Sequence, residues 1–160
     1  MYSSTGPSQY AATGVPAQPV IVTAPRQWST GLCDCCLDCS SCCLTCWCPC
    51  ISFGRIAEIV NKGTTSCCVH GCLYTILCLT GCQCIYSCMY RSTLRRQYLL
   101  PDQPCNDCCV HCCCGYCALC QEYRELKHRG FEPSLGWQGN LLRRNQGVVM
   151  PPAGPSEMKR

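Results

Sequence analysis

Cysteine is the residue that most limits what this chain can fold into. It occupies 24 of 160 positions, a share at which thiol chemistry dominates the behaviour of a short chain. The densest segment is CCLTCWCPC at residues 42–50, which holds five thiols, one Trp and one Pro in nine positions. Such thiols can form disulfides, bind soft metal ions or act as small apolar residues, so the rest of the sequence must distinguish these roles.

The N-terminal residues argue against a disulfide scaffold. Residues 1–6 have neither the basic start nor the apolar core of a signal peptide, and the longest early apolar run covers only residues 20–22. Thiols that face the cytosol stay reduced. We therefore expect free cysteines used for metal binding, lipidation or packing, although thiols on the far side of a membrane would escape this argument.

Composition divides the chain into one domain and two tails. Residues 1–27 are rich in Ser, Thr, Gly, Pro, Ala and Gln, and residues 141–160 contain the segment VVMPPAGP. Such segments bury too little apolar surface to offset the entropy of ordering them, so both are predicted to be flexible, disordered tails. Residues 28–140 form the predicted Cys-rich domain.

Charged residues are absent from three stretches of this domain, at residues 39–54, 63–90 and 108–121. A helix over residues 67–90 would reach about 36 Å, enough to cross a hydrocarbon core of about 30 Å. The first stretch crosses only if its helix continues to residue 60, and Pro49 would kink it, so an interfacial or re-entrant segment is the alternative. The prediction is a small all-α, Cys-rich membrane protein with one or two transmembrane helices, at about 39–60 and 67–90. A soluble protein with a thiol-rich core helix is the competing interpretation.

An amphipathic C-terminal helix is predicted at residues 116–129, with Gly130 placed to end it. Apolar residues recur at helical spacing on one face, namely Tyr116, Leu119, Tyr123 and Leu126. The charged residues predicted to face water are Glu122, Arg124, Glu125, Lys127 and Arg129. Acids and bases are balanced here and the net charge of +4 is spread thinly, so no nucleic-acid partner is expected.

Thiols line one face of the helix predicted over residues 67–90. The stripe falls within an arc of about 120° and consists of Cys68, Cys72, Thr75, Cys78 and Cys82. Stacked weak thiolate sites would let a soft ion enter and leave, so the stripe could line an ion path. Close helix packing, which selects small residues, explains it equally well.

A second cluster of metal-binding residue types follows at residues 105–120. Its candidate ligands are Cys105, Cys108, Cys109, His111 and Cys112. A structural zinc ion bound by four of them would hold a segment with few core residues. Palmitoylation of surface cysteines beside a bilayer is the other explanation, and the spacing does not decide between them.

Three groups of residues together resemble a known family. They are WSTGLCDC at residues 28–35, the CC pair and CPC triplet within residues 42–50, and QEYRELK at residues 121–127 followed by GF and LGW at residues 130–137. On these motifs the chain is identified as a member of the plant cadmium resistance and cell number regulator family, which carries the placenta-specific-8 domain. The resemblance covers about residues 28–140.

This resemblance implies a small membrane protein with two transmembrane segments, often at the plasma membrane, that self-associates. Some members confer cadmium resistance or move zinc, and others restrain cell number and organ size. The family motif implicated in metal handling corresponds here to Cys48, Pro49 and Cys50. It does not extend to the additional thiols of residues 67–90.

Our hypothesis from the sequence is a soft-metal site formed by Cys48 and Cys50, together with Cys43 and Cys46. Pro49 breaks regular helix beside two thiols, and broken helices at membrane depth commonly bind ions. One chain of this size can hardly enclose a pore, so we expect a multi-pass plasma-membrane homo-oligomer among lipids. Zinc or cadmium is its expected cargo, no cofactor is required, and a membrane regulator of cell number without transport is the alternative.

An enzyme is not expected. His70 and His111 could activate a nearby thiol, but no catalytic signature surrounds either residue. His70 also lies in an apolar segment, where a hydrogen bond between helices is the more ordinary role for a histidine.

Overall fold

The computed structural model describes residues 26–149, with side chains up to residue 146. Within this range the chain is helical and has no β-strand, which confirms the all-α prediction. The helices are α1 (Cys39–Trp47), α2 (Pro49–Val60), α3 (Cys67–Leu79), α4 (Gln83–Tyr98), α5 (Asp107–His128) and α6 (Gly136–Val149), with 3₁₀ helices at Cys35–Asp38 and Pro133–Leu135. The tail predicted at residues 1–27 lies almost wholly outside the described residues.

The CPC triplet forms a sharp bend between α1 and α2. Cys48 leaves the helical conformation (φ −136°, ψ 65°), and its amide donates to the carbonyl of Leu44 at 2.8 Å. Pro49 begins α2, a position where the missing amide hydrogen would have no partner within the helix. The two helical segments on either side of Cys48 differ in direction by 112°, so the kink predicted at Pro49 is confirmed.

The prediction of one continuous helix over residues 67–90 is wrong. α3 ends at Leu79, and α4 begins at Gln83 after a turn. Gly81 makes this turn in the left-handed region (φ 71°), which a residue without a Cβ adopts at little cost. Cys82 therefore does not continue the stripe of thiols on α3.

The described residues contain no individual helix that is both long and apolar enough to cross a bilayer. One bent pair of helical segments, Cys35–Trp47 with Pro49–Val60, is long and apolar enough when its two halves are taken together. α3 is apolar but shorter.

The core is centred on α2. Phe53, Ile56 and Ala57 are fully buried, and Leu94 of α4 and Leu126 of α5 pack in the same cluster. Aromatic rings from α3 and α4 surround Phe53, with centroids 4.9 to 5.4 Å away. α2 is thus held on several sides, which fixes the position of the CPC bend at its start.

Two glycines bring α2 and α3 into close contact. A Cβ added at Gly54 would collide with the backbone carbonyl of Cys67, and one added at Gly71 would lie 3.0 Å from the carbonyl oxygen of Cys50. Because the obstructing atoms are backbone atoms, a larger residue would push the helices apart. The small residues therefore place Cys50 directly beside α3.

The C-terminal part of the domain is more helical than the sequence predicts. α5 begins at Asp107 rather than at residue 116, and its backbone departs from helical geometry at Cys114 (φ −134°, ψ 41°). The predicted end is correct, since α5 stops at His128 and Gly130 adopts φ 82°. α6 continues to Val149, nine residues beyond Asn140, where the predicted domain ends.

Candidate functional site

The four cysteines of the predicted metal site lie on either side of the α1–α2 bend. Cys43 and Cys46 are exposed on α1, whereas Cys48 and Cys50 are half-buried at the bend itself. Pro49 has no amide hydrogen to donate back to the last turn of α1, so the helical hydrogen-bond pattern stops here. The two thiols of the CPC triplet are thus held by a fixed break in the backbone.

Cys50 opens onto a groove between α2 and α3. The groove encloses about 700 Å³, and Cys67, Cys68 and Cys72 of α3 line it with Cys50. Gly71 forms part of the same wall, and its lack of a side chain allows the close approach of Cys50. The structure therefore brings a CPC thiol together with part of the predicted stripe.

The other members of the predicted ion path follow α3. Cys68, Cys72 and Cys78 are exposed on this helix, and the first two line the groove with Cys50. Cys82 is also exposed but lies beyond the end of α3. Three of the four predicted lining cysteines thus share one helix.

Metal-binding side chains are not preassembled in the described part of the chain. Across residues 26–149, no three or more His, Cys, Asp or Glu side chains are already arranged to hold a metal ion. In the predicted second cluster, Cys105 and Cys109 are exposed while His111 is buried. The imidazole Nε2 of His111 lies 2.9 Å from the Glu122 carboxylate, so this nitrogen is engaged by the buried network.

A buried ionic network joins α4 to α5. Arg91 is fully buried, and its guanidinium lies 3.2 Å from both Asp107 and Glu122 and donates to the side-chain oxygen of Gln121 at 2.8 Å. The same group stacks 4.3 Å above the ring of Trp28. Buried charges need such partners because the interior solvates them poorly.

The prediction that the charged residues of α5 face water is wrong for three of them, because Glu122, Arg124 and Glu125 are buried. Glu122 pairs with Arg91 and His111, whereas Arg124 and Glu125 contact the chain segment before α1. Arg124 donates to the carbonyl of Gly31 at 3.0 Å, and the amide of Ser29 donates to Glu125 at 2.7 Å. These contacts hold residues 28–31 against residues 121–126 of α5.

A further group of thiols, outside the predicted ligand sets, surrounds the buried Cys120 of α5. Cys35 lies beside both Cys117 and Cys120, and Cys42 also approaches Cys120. Burial, with Cys35 nearby, raises the pKa of Cys120 to about 12 and that of Cys117 to about 11. At neutral pH these two thiols are therefore protonated. They pack as neutral side chains and are poor nucleophiles. The three-residue spacing of Cys117 and Cys120 on one helix was the available signal.

The comparisons with known proteins place the chain within one family. The PLAC8 family matches residues 28–125. "Cell number regulator 7" of Zea mays is 57% identical over 140 residues, covering 85% of this chain and 78% of the relative. "Protein PLANT CADMIUM RESISTANCE 2" of Arabidopsis thaliana is 56% identical over 128 residues, covering 79% and 84%. "Cell number regulator 10" of Zea mays is 52% identical over 157 residues and covers 96% of each chain. No solved structure matches the chain.

Fold and thiol content define the class of this protein, a small helical and Cys-rich domain with a bent CPC segment. The chain belongs to the PLAC8 family, among relatives named for plant cadmium resistance and for cell number regulation. This confirms the resemblance seen in the sequence motifs.

Proposed function

We propose that this protein binds divalent soft metal ions and moves them across the plasma membrane, thereby contributing to resistance to cadmium or excess zinc. Relatives named for cadmium resistance support this proposal. The observation that carries it is the position of Cys50, because this CPC thiol shares one groove with Cys68 and Cys72.

The groove supplies the chemistry that a soft ion needs. Thiolates prefer Zn²⁺ and Cd²⁺ over the hard ions Mg²⁺ and Ca²⁺. Cys48 and Cys50 would capture the ion at the bend, with Cys43 and Cys46 as additional ligands on α1. Exchange from Cys50 to Cys68, Cys72 and Cys78 would then pass it along α3, since sites that are individually incomplete also release their ion.

Contact with the bilayer is part of the proposal. α3 carries an exposed apolar face of Val69, Leu73, Ile76 and Leu79, which are 41 to 84% exposed, and Trp47 at the end of α1 is 86% exposed. Residues 63–90 include no Asp, Glu, Lys or Arg. Apolar faces of this size rarely remain in water, so we place α3 and the α1–α2 bend against lipid.

Self-association completes the proposal. The groove is open along α2 and α3, and one chain of this length does not enclose a continuous path. A homo-oligomer in which grooves from several chains face a common axis would provide such a path while keeping the apolar faces toward lipid.

A metal-tolerance assay tests the proposal. Metal-sensitive cells would express the wild-type protein, the Cys48→Ser/Cys50→Ser variant, or the control Cys36→Ser/Cys39→Ser, which removes two exposed thiols outside the groove. We expect the wild type and the control to raise cadmium tolerance and the CPC variant to lose the effect at equal protein level. Unchanged tolerance in the CPC variant would refute the role of these thiols.

A regulator of cell number that acts through membrane partners is the second candidate, favoured by relatives that carry this name. Such a role depends on the folded surface rather than on thiol ligands. A growth effect that persists in the Cys48→Ser/Cys50→Ser variant would support this candidate, and loss of both growth effect and tolerance would support metal handling.

A further inference from the structure

Arginines from three separate segments of the chain line one pocket. The pocket encloses about 470 Å³, and its walls include Arg26 before α1, Arg129 directly after α5 and Arg144 of α6. The polar side chains of Ser29 and Gln97 also line it. Its volume lies within the range of about 300–1,000 Å³ that is typical of small-molecule sites. None of the described residues that line it is Asp or Glu, so the pocket carries positive charge.

Aromatic rings hold two of the guanidinium groups in place. Cζ of Arg129 lies 3.9 Å from the ring centre of Tyr98. Cζ of Arg144 lies 4.2 Å from that of Phe131, whose ring also stacks on Trp137 with centroids 6.1 Å apart. A stacked guanidinium keeps its planar fork of N–H donors for a ligand. Because these rings already have stacking partners, the pocket favours a ligand held by charge over one held by stacking.

Two of the three positive charges have no counterion among the described residues. Arg129 donates to the carboxylate of Glu125 at 2.8 Å, so its charge is already neutralised by a structural contact. Across residues 26–146, neither Arg26 nor Arg144 forms an ion pair with a carboxylate. The backbone amide of Arg26 donates to the carbonyl of Leu99 at 3.1 Å, which fixes this residue at the end of α4. Like charges held around one pocket attract an anion.

Phosphate esters are the anions that such a pocket fits best. A guanidinium binds a phosphate through two parallel N–H···O bonds. A phosphate monoester carries a charge of about −1.5 to −2 at neutral pH, whereas a carboxylate carries only one negative charge. The volume of the pocket leaves room for a ring that bears several phosphates, so Arg26 and Arg144 can each bind one of them.

We propose that this pocket binds a phosphorylated inositol headgroup, with Arg26 and Arg144 as its phosphate ligands. Such a headgroup belongs either to a membrane lipid or to a soluble inositol phosphate, and both sources present the same chemistry to the two guanidiniums.

The position of the pocket suits a lipid headgroup. Gln97 lines the pocket and donates to the carbonyl of Val60, the last residue of α2, at 2.8 Å. The end of α2 lies about 17 Å along the helix axis from the CPC bend at its start, and half of a hydrocarbon core measures about 15 Å. With the bend against lipid, the pocket lies near the level of the headgroups. This placement rests on the proposed function, whereas the phosphate chemistry of the pocket does not.

Binding of labelled inositol trisphosphate tests the pocket. The full-length protein would be reconstituted into phosphatidylcholine nanodiscs and titrated with the fluorescent headgroup. Arg26→Gln/Arg144→Gln removes both ligands, and the control Lys62→Gln/Arg96→Gln removes two exposed positive charges outside the pocket. We expect the pocket variant to bind at least about tenfold more weakly than the wild type and the control to bind like the wild type. No binding by the wild type, or an equal loss in both double variants, would overturn the proposal.

Nanodiscs that contain phosphatidylinositol bisphosphate distinguish the two sources. Displacement of the labelled headgroup by this lipid, but not by phosphatidylserine at equal total charge, would support the pocket and assign it to a membrane lipid. Binding that this lipid leaves unchanged would support the pocket and assign it to a soluble inositol phosphate. Equal displacement by both lipids would overturn it, because charge alone would then explain the binding.

A second measurement on the wild-type protein does not depend on how the variants fold. Modification of arginines by phenylglyoxal, read by mass spectrometry, would be compared with and without inositol trisphosphate. We expect the headgroup to protect Arg26 and Arg144 but not the exposed Arg96, and equal modification of all three would refute the site. The Cys48→Ser/Cys50→Ser protein should bind the headgroup with wild-type affinity, which separates failure of this pocket from failure of metal transport.

Discussion

Arg91 is the residue whose replacement should destabilise the fold most directly. Its guanidinium is fully buried and contacts Asp107 and Glu122 at 3.2 Å, Gln121 at 2.8 Å and the Trp28 ring. Arg91→Met keeps most of the side-chain volume but removes the positive charge between two carboxylates. The substitution therefore leaves negative charges buried without their shared partner.

The expected loss follows from the contacts that remain. Removing one member of a buried ion pair costs about 3–5 kcal/mol, because the other charge stays buried. Asp107 would keep Arg95, and Glu122 would keep His111 at 2.9 Å. We therefore expect Arg91→Met to lower the free energy of unfolding by about 3–4 kcal/mol.

Urea denaturation followed by helical circular dichroism measures this loss. Arg96→Met is the control, because Arg96 is exposed on the same helix, and it should change stability by less than about 0.5 kcal/mol. The double variant Arg91→Met/Glu122→Gln should lose at least about 1 kcal/mol less than the sum of the single losses. A loss below about 1 kcal/mol for Arg91→Met would refute the reasoning that this network stabilises the α4–α5 contact.

Two further predictions concern packing and pH. Gly54→Ala should destabilise the domain by about 1–3 kcal/mol, because the added methyl group meets the backbone of Cys67. The control Gly115→Ala places its methyl group in open space and should be neutral or stabilising. Equal shifts of the thermal unfolding midpoint in the two variants would contradict this prediction. Burial tends to raise the pKa of Asp107, but hydrogen bonds from Arg95 and Ser92 hold it below its usual 3.8. The contribution of Asp107 to the free energy of unfolding is therefore complete above about pH 4 and is lost as the pH falls through its lower folded-state pKa. Asp107→Asn should consequently reduce the loss of stability at acid pH, measured by urea unfolding across the pH range. Parallel stability curves for the variant and the wild type would refute this prediction.

Local chemistry made part of this fold predictable. Pro49 stops α1, and Gly130 follows the end of α5, because each residue acts through its own backbone. Gly81 carried the same kind of signal for the break after α3, but apolar composition alone predicted one long helix there. Apolar composition indicates that a segment avoids water, but it does not show whether that segment is one unbroken helix.

Long-range partners explain what the sequence did not show. Glu122 follows Arg91 by 31 residues, and Arg124 follows Gly31 by 93, so helical periodicity could not reveal that these charges are neutralised in the interior. The contact of Cys50 with α3 likewise depends on Gly71, which only the packed structure places beside it.

Metal flux into sealed vesicles tests the central claim most directly. Vesicles carrying the purified protein would contain a dye that responds to zinc and cadmium, and the Cys48→Ser/Cys50→Ser and Cys36→Ser/Cys39→Ser variants would be measured at equal incorporation. We predict saturable flux for the wild type and the control, and its loss in the CPC variant. Tight metal binding without flux in the wild type, or flux that persists in the CPC variant, would contradict transport through the groove.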